Sequence, residues 1–284
     1  MHEPPTGLVH DVAPQCQRVL ERIGDDTAAS FIHRALRVLP GTHSDLSYLL
    51  ARFRPEHFQS TLFAHHGIDF PAHIRNSVTK RQAEFIAGRL CAQAILAAYG
   101  LEQQPVGIGS QREPLWPPGF VGSITHNGHY AAAIACPAAT LLGLGIDIES
   151  VIQDEARQAM VDLVVSRAEA DLLRAAAGEL SFECLLTLVF SAKESFFKAA
   201  FAQVRAFVDF DAVNVEAIDV ARRVIALRCR TELSEYLYAG RRFYAHFDFL
   251  DMGAIFTVVV LQNETLAQQQ APRCDSTGTA APLS

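Results

Sequence analysis

Asp147 and Glu149 stand one residue apart at the end of an apolar run, and a third carboxylate, Glu194, lies in an apolar stretch four residues before Lys198. Leu141, Leu142, Leu144, Ile146 and Ile148 read as a strand, with alternation emerging over residues 146–149. Side chains two apart in a strand point the same way, about 6.6 Å from one another. Asp147 and Glu149 therefore share a face. At an effective dielectric of ~20, two like charges at that separation repel by roughly 2–3 kcal/mol. Such a pair marks either the solvated end of an edge strand or the seat of a cation. Three carboxylates with no paired His or Cys nearby suit a hard ion. Mg²⁺, with Mn²⁺ as the alternative, takes one or two carboxylates, waters and substrate phosphates. The basic side chains Arg81, Arg89, Arg112, His126, Lys193 and Lys198 exceed what three acids need, and a polyphosphate ligand would balance them. Residue chemistry thus reaches a Mg²⁺-dependent enzyme acting on a phosphate ester or anhydride, and does not choose the reaction.

These residues need elements to carry them. Residues 77–100 have the pattern of a helix, with Ser77 as N-cap and Gly100 as the stop. Ala83, Ile86, Leu90, Ala94 and Ala97 recur at steps of three and four and form its buried face. Arg81 and Arg89 lie off that stripe, about 80° apart around the axis. One anion could meet both; otherwise they belong to a solvated basic face with Glu84 as internal partner. Gly88 in mid-helix costs ~1 kcal/mol against Ala, which points to close approach by another backbone or a ligand. Residues 104–122 form a Pro- and Gly-rich loop containing Gln111, Arg112 and the only tryptophan, Trp116. Ser123 and Thr125 share a strand face, Asn127-Gly128 is a hairpin signal, and the return strand starts at Tyr130. His126 then sits at the hairpin tip. Ser166-Arg167-Ala168-Glu169 is a capping box for a helix that stops at Gly178. Residues 181–201 lack Gly and Pro and are apolar nearly all round, one continuous buried helix. Glu194 and Lys198 share a face of it, and burying its lysines without a charged partner would be expensive. Residues 223–230, 241–249 and 253–261 read as strands.

The 284 residues suffice for one large domain or two small ones. Half are apolar and 19% charged, a globular composition. A net charge of −7 argues against general nucleic-acid binding. No apolar stretch reaches the ~18 residues of a membrane span, and residues 1–11 lack the charged-then-apolar order of a signal peptide. Six scattered cysteines without a CxxC pair suit a reducing, cytoplasmic setting. Histidines scattered over residues 31–76 fit no zinc spacing. Residues 263–284 are mostly Gln, Ala, Thr, Ser and Pro and read as a disordered tail.

Gly145-Ile-Asp-Ile-Glu149 followed by Phe190-Ser-Ala-Lys-Glu-Ser-Phe-Phe-Lys198 resembles the signature pair of the 4′-phosphopantetheinyl transferases. Gly122-Ser-Ile-Thr-His126 is similar to that family's phosphate-contacting hairpin. Residues 80–89 and 112–117 resemble the branch typified by enterobactin synthetase component D. The resemblance covers about residues 75–262, with the motifs in family order. It implies an α+β fold of two similar halves, each a helix packed on a small antiparallel sheet, in pseudo-twofold arrangement with coenzyme A between them. The corresponding division is an extension over residues 1–30, halves over 31–145 and 146–262, and the tail. The implied reaction passes the phosphopantetheine arm of coenzyme A to a serine of an apo acyl or peptidyl carrier protein and releases 3′,5′-ADP. Asp147, Glu149, Glu194 and the Ile148 carbonyl would hold Mg²⁺. Glu194 would be the general base, and Lys198 would stabilise or protonate the leaving phosphate, with Lys193 adding positive field. Thr125 and His126 would contact phosphate, and Arg81, Arg89, Arg112 and Gln111 the 3′-phospho-adenosine end. The protein would be a monomer, with Arg222, Arg223, Arg228, Arg230, Arg241 and Arg242 as a candidate docking patch for an acidic carrier. The rival readings are a Mg²⁺-dependent nucleotide phosphohydrolase and a non-catalytic binder of coenzyme A or carriers.

Overall fold

The computed structural model describes residues 31–38, 46–101, 103–138, 141–178 and 180–262. The expectations for residues 1–30 and for the tail lie outside them. Two antiparallel sheets carry the fold. The first has strand order β1 (Ile32–Val38), β2 (Ser47–Phe53), β6 (Tyr130–Pro137), β5 (Phe120–His126). The second has order β7 (Leu141–Ser150), β11 (Ala254–Gln262), β10 (Arg242–Leu250), β9 (Val224–Cys229), β8 (Val213–Asp219). A short ribbon, β3 (Gly107–Ile108) with β4 (Pro114–Leu115), sits in the Pro- and Gly-rich loop. Among the helices, α1 (Thr61–His65) and α2 (Ala72–Arg75) lead into the long α3 (Thr79–Ala97). In the second half α4 (Asp154–Val164) and α5 (Arg167–Ala176) precede α6 (Phe182–Val204). Each half is thus one long helix on one sheet, the α+β arrangement expected.

The layers follow from strand alternation. Ala131, Ala133 and Ala135 of β6 face α3 in one core, while Tyr130, Ala132, Ile134 and Cys136 join a separate core between the sheets. On β7, Leu144, Ile146 and Ile148 enter that inter-sheet core, where they meet Ala254, Phe256 and Val258 of β11. Tyr48 stacks on Phe256 at 4.4 Å. The opposite face of β7 is Gly143, Gly145, Asp147 and Glu149, turned to α6. A Cβ at Gly143 would lie 2.0 Å from the Ala199 carbonyl oxygen, and one at Gly145 1.8 Å from that of Ser195. The glycines let the helix backbone rest directly on the strand.

One boundary differs from expectation. Ser77 does not cap α3: Val78 takes that position without a side-chain bond, and the Ser77 hydroxyl donates to the Ile74 carbonyl, closing α2. Gly100, in contrast, does stop the helix, with φ +71° and Leu101 N–H returning to the Leu96 carbonyl. The change of sheet comes between β6 and β7, and residue 145 lies in mid-strand, paired with Val259. The sequence reading also lacked β1, β2, β8 and α4.

Gly145→Ala is expected to destabilise the protein by about 1–3 kcal/mol through overpacking against backbone that cannot rotate away. Urea unfolding checks this, and an unchanged midpoint would mean that α6 does not lie as close to β7 as described.

Candidate functional site

β7 and α6 build the site between them. Because Gly143 and Gly145 admit the helix, the next two side chains on the same strand face, Asp147 and Glu149, are delivered against it. Lys198 reaches across from α6: its Nζ donates to Asp147 Oδ1 at 2.6 Å, to the Ile146 carbonyl at 3.2 Å and to Thr125 Oγ1 at 3.4 Å. Thr125 comes from β5 in the other half. Its hydroxyl accepts from Ile148 N–H at 3.1 Å and donates to Asp147 Oδ1 at 3.2 Å. Ser123 makes the companion bond, accepting from Ile146 N–H at 3.1 Å. The candidate site therefore lies on the seam between the halves.

Its electrostatics are uncompensated. Burial pushes the Glu149 carboxyl up to about 7, with the Asp147 and Glu194 charges adding to the rise and Lys198 opposing it. Burial also raises Glu194, against Lys198 and with Asp147. Asp147 is 3% exposed, and its Oδ2 is buried with no hydrogen-bond partner. With Glu149 raised to about 7, three carboxylates against one lysine leave two negative charges once all three are ionised. An orphaned carboxylate oxygen, two flanking carboxylates and a missing charge of two fit one hard divalent cation. Among the described residues no three His, Cys, Asp or Glu side chains already converge on a common point. Asp147 Oδ1 is taken up by Lys198. Ile148 turns its side chain into the inter-sheet core. Its N–H meets Thr125 on the β5 side, and in a strand the carbonyl of the same residue points to the same edge, so that oxygen faces the seam.

The basic residues divide. His126, at the end of β5, is 2.7 Å through Nε2 from Arg81 Nη1. A guanidinium only donates, so Nε2 accepts and the ring carries its proton on Nδ1. Burial, then Arg81 and Lys198, depress the His126 pKa to about 3. Glu84 stands behind both, 3.7 Å from Arg81 and 3.8 Å from His126 Nδ1, which makes it the organiser of the pair; its i,i+3 spacing from Arg81 was the available signal. Arg89 goes elsewhere. It stacks on Phe85 and donates to the Val106 and Gly107 carbonyls at 2.6 and 3.1 Å, fastening α3 to the following loop. Arg81 and Arg89 thus meet no common group. Gly88 gives close passage to the Ile124 side chain. Arg112 is exposed with φ +67°, and the Gln111 side chain donates to the Arg205 carbonyl after α6 at 2.8 Å, a second link between the halves.

Lys193 requires correction. It does not face the seam. Its side chain is 1% exposed and its Nζ bonds Glu169 at 2.9 Å, the Val164 carbonyl at 2.8 Å and the Phe210 carbonyl at 3.1 Å. Glu169, whose capping box was visible in the sequence, is the charged partner that the buried lysine needs. The arginine patch is also different from expectation. Arg222 pairs with Asp219, Arg223 with Asp248, and Arg228 and Arg242 with Glu216, so three acids offset half of the charge of the six arginines.

Residues 70–136 match the family described as 4′-phosphopantetheinyl transferase N-terminal domain, and residues 143–246 the 4′-phosphopantetheinyl transferase superfamily. The chain is 32% identical over 181 residues to enterobactin synthase component D of Salmonella typhi, which covers 63% of this chain and 74% of that one. It is 37% identical over 144 residues to enterobactin synthase component D of Escherichia coli (strain K12), covering 50% and 66%. With 4′-phosphopantetheinyl transferase Svp of Streptomyces mobaraensis it shares 38% identity over 149 residues, 52% and 59% of the two chains. The chain thus spans just under two thirds of the Escherichia coli protein and less of the Streptomyces one.

Lys193→Met should lower the unfolding free energy by about 3–5 kcal/mol, the cost of leaving the Glu169 charge buried without its counter-ion, with only the Ser166 and Val215 amides bonded to it. Urea denaturation measures it; wild-type stability combined with weakened anion binding would return Lys193 to the site.

Proposed function

The chain belongs to the 4′-phosphopantetheinyl transferase superfamily, and we propose that the seam between its halves transfers the phosphopantetheine arm of coenzyme A to a serine of an apo carrier protein. The observation that carries this reading is the Asp147–Lys198 pair, with Asp147 Oδ2 unpartnered and the charges of Glu149 and Glu194 felt beside it, next to Thr125 and the His126–Arg81 pair. Acids able to hold a divalent cation adjoin cations able to hold phosphates. Asp147, Glu149 and Glu194, with the Ile148 carbonyl, would hold Mg²⁺ or Mn²⁺. When bound, the ion neutralises charge on the pyrophosphate of coenzyme A.

Arg81 and His126 give up their mutual contact to the 3′-phosphate, with Glu84 keeping both in place. Arg112 and Gln111, on the loop that reaches the far half, line the adenosine end, and Arg89 supports that loop from beneath. Glu194 takes the proton of the carrier serine hydroxyl. The serine oxygen then bonds to the phosphorus of the pantetheine phosphate, and the bond from that phosphorus to the bridging oxygen breaks. Lys198 stabilises or protonates the leaving 3′,5′-ADP. Thr125 holds Lys198, Asp147 and the β7 backbone in one register throughout.

The reaction is the holo-acyl-carrier-protein synthase one. Carriers of nonribosomal peptide or siderophore assembly are the first substrates to try, since several relatives are named for enterobactin synthase. The protein acts as a monomer in the cytoplasm. Among the described residues no helix is long and apolar enough to cross a membrane.

Incubation with coenzyme A, Mg²⁺ and an apo-carrier is expected to raise the carrier's mass by one phosphopantetheine arm. Excess chelator should stop the reaction, and restored Mg²⁺ should restart it. Release of free phosphopantetheine with the carrier mass unchanged would favour a phosphohydrolase instead. Asp147→Ala should reduce transfer by about a thousandfold or more, as loss of a central charge-stabilising group does, while circular dichroism stays that of a folded protein. Full activity in that variant would move the metal site elsewhere.

A further inference from the structure

Behind the carboxylates lies a cluster of hydroxyls that the transfer does not use. Ser191, Ser195 and Thr257 are each fully buried. Thr257 pairs with Asp147 across β7 and β11, so the two point to the same face, toward α6. Its Oγ1 donates to the Ser191 carbonyl at 2.8 Å and lies 2.8 Å from Ser191 Oγ and 2.7 Å from Ser195 Oγ. Ser195 Oγ also lies 3.1 Å from the Thr257 carbonyl as its donor. The proton count closes. Thr257 gives its one hydrogen to the Ser191 carbonyl, and its two lone pairs receive Ser191 and Ser195, with Ser195 shared with the Thr257 carbonyl.

Alanine or valine would fill these places at no desolvation cost, whereas each buried hydroxyl costs about 1–3 kcal/mol unless bonded. A fully bonded buried network selects one arrangement over its neighbours. The arrangement selected here matters because β7 offers α6 no side chain at Gly143 and Gly145, and the contacts with Ile255, Val259 and Leu261 of β11 are apolar and without direction. Glu194 sits between the two serines, and Lys198 lies three residues beyond Ser195. We infer that Thr257 is a positioning residue. With Ser191 and Ser195 it fixes the rotation and height of α6 on β7, and so sets Glu194 and Lys198 against Asp147 and Glu149. What the network serves rests on the transferase reading; that it fixes α6 does not.

Thr257→Val keeps the side-chain volume and removes the hydroxyl, whereas Thr257→Ser keeps the hydroxyl and removes a methyl. Wild type and both variants are compared by carrier-transfer kinetics and by amide exchange over residues 191–198. Thr257→Val is expected to lower kcat by roughly tenfold or more, as a displaced catalytic pair does, and to speed amide exchange. Its KM for coenzyme A should stay within about twofold, because Arg81 and His126, which hold the 3′-phosphate, lie on α3 and β5. Thr257→Ser should remain close to wild type in every measure. Should Thr257→Val fail to fold, Ser195→Ala, which removes one donor and leaves Thr257 bonded to Ser191, should give the same pattern at smaller amplitude. The inference is overturned if Thr257→Ser is as impaired as Thr257→Val, which would make packing the cause, or if Thr257→Val matches wild type in kcat and exchange. A wild-type protein inactive on every carrier would remove the transferase reading, while exchange in the same proteins would still decide whether the network fixes α6.

Discussion

α6 rests on β7 with almost nothing between them. Two alternate positions of the strand carry no side chain, and Cβ atoms there would strike the helix carbonyls of Ala199 and Ser195. The period of the strand converts this into chemistry. The face that is bare at residues 143 and 145 carries carboxylates at 147 and 149, so the residues that admit the helix and those that meet its Glu194 and Lys198 form one row. A slip of one residue would turn Ile146 and Ile148 to the helix and bury both acids in the apolar layer between the sheets. The close contact and the site are fixed by the same register.

The join between the halves follows a second constraint. β7 is an edge strand, and its Ile146 and Ile148 amides face away from β11. Unpaired and buried, each would cost about as much as a lost hydrogen bond. β5 offers no backbone ladder there; it offers the hydroxyls of Ser123 and Thr125. Side chains thereby replace the missing strand. A hydroxyl can do what a backbone carbonyl cannot, since it also donates. Thr125 accepts from Ile148 and spends its own hydrogen on Asp147. One residue closes the edge, links the halves and orients the acid.

Much of this is legible in the sequence, and the exceptions have physical reasons. The strand of Asp147, the hairpin at Asn127, the helix that ends at Gly100, the capping box at Ser166 and the long helix with Glu194 all carry local signals. β1 and β2 carry weak ones, because β2 is joined to the sheet by residues some eighty positions away in β6 and β1 pairs only with β2. The starts of β6 and β7 at Tyr130 and Leu141 were legible; which sheet each strand joins comes only with the pairing. The pairing of Thr257 with Asp147, and the hydroxyl cluster behind it, come only with the strand order.

The two lysines of the Phe190–Lys198 stretch show what a motif conceals and a helix reveals. Lys193 and Lys198 are five residues apart, which is about 140° around an α-helix, while Glu194 and Lys198 differ by only about 40°. Both lysines cannot face one strand. Lys198 lies near the side of Ser195 and Glu194 and finds Asp147; Lys193 lies nearly opposite Ser191 and finds Glu169. Counting the lysines together, the site looks nearly neutral, three acids against two bases. Counted by face, Lys193 and Glu169 cancel each other in a pocket of their own, and the seam keeps three acids against Lys198. The missing charge is then two rather than one. A second lysine would offset a single charge; two, where Asp147 Oδ2 is also left without a partner, suit the divalent ion proposed above.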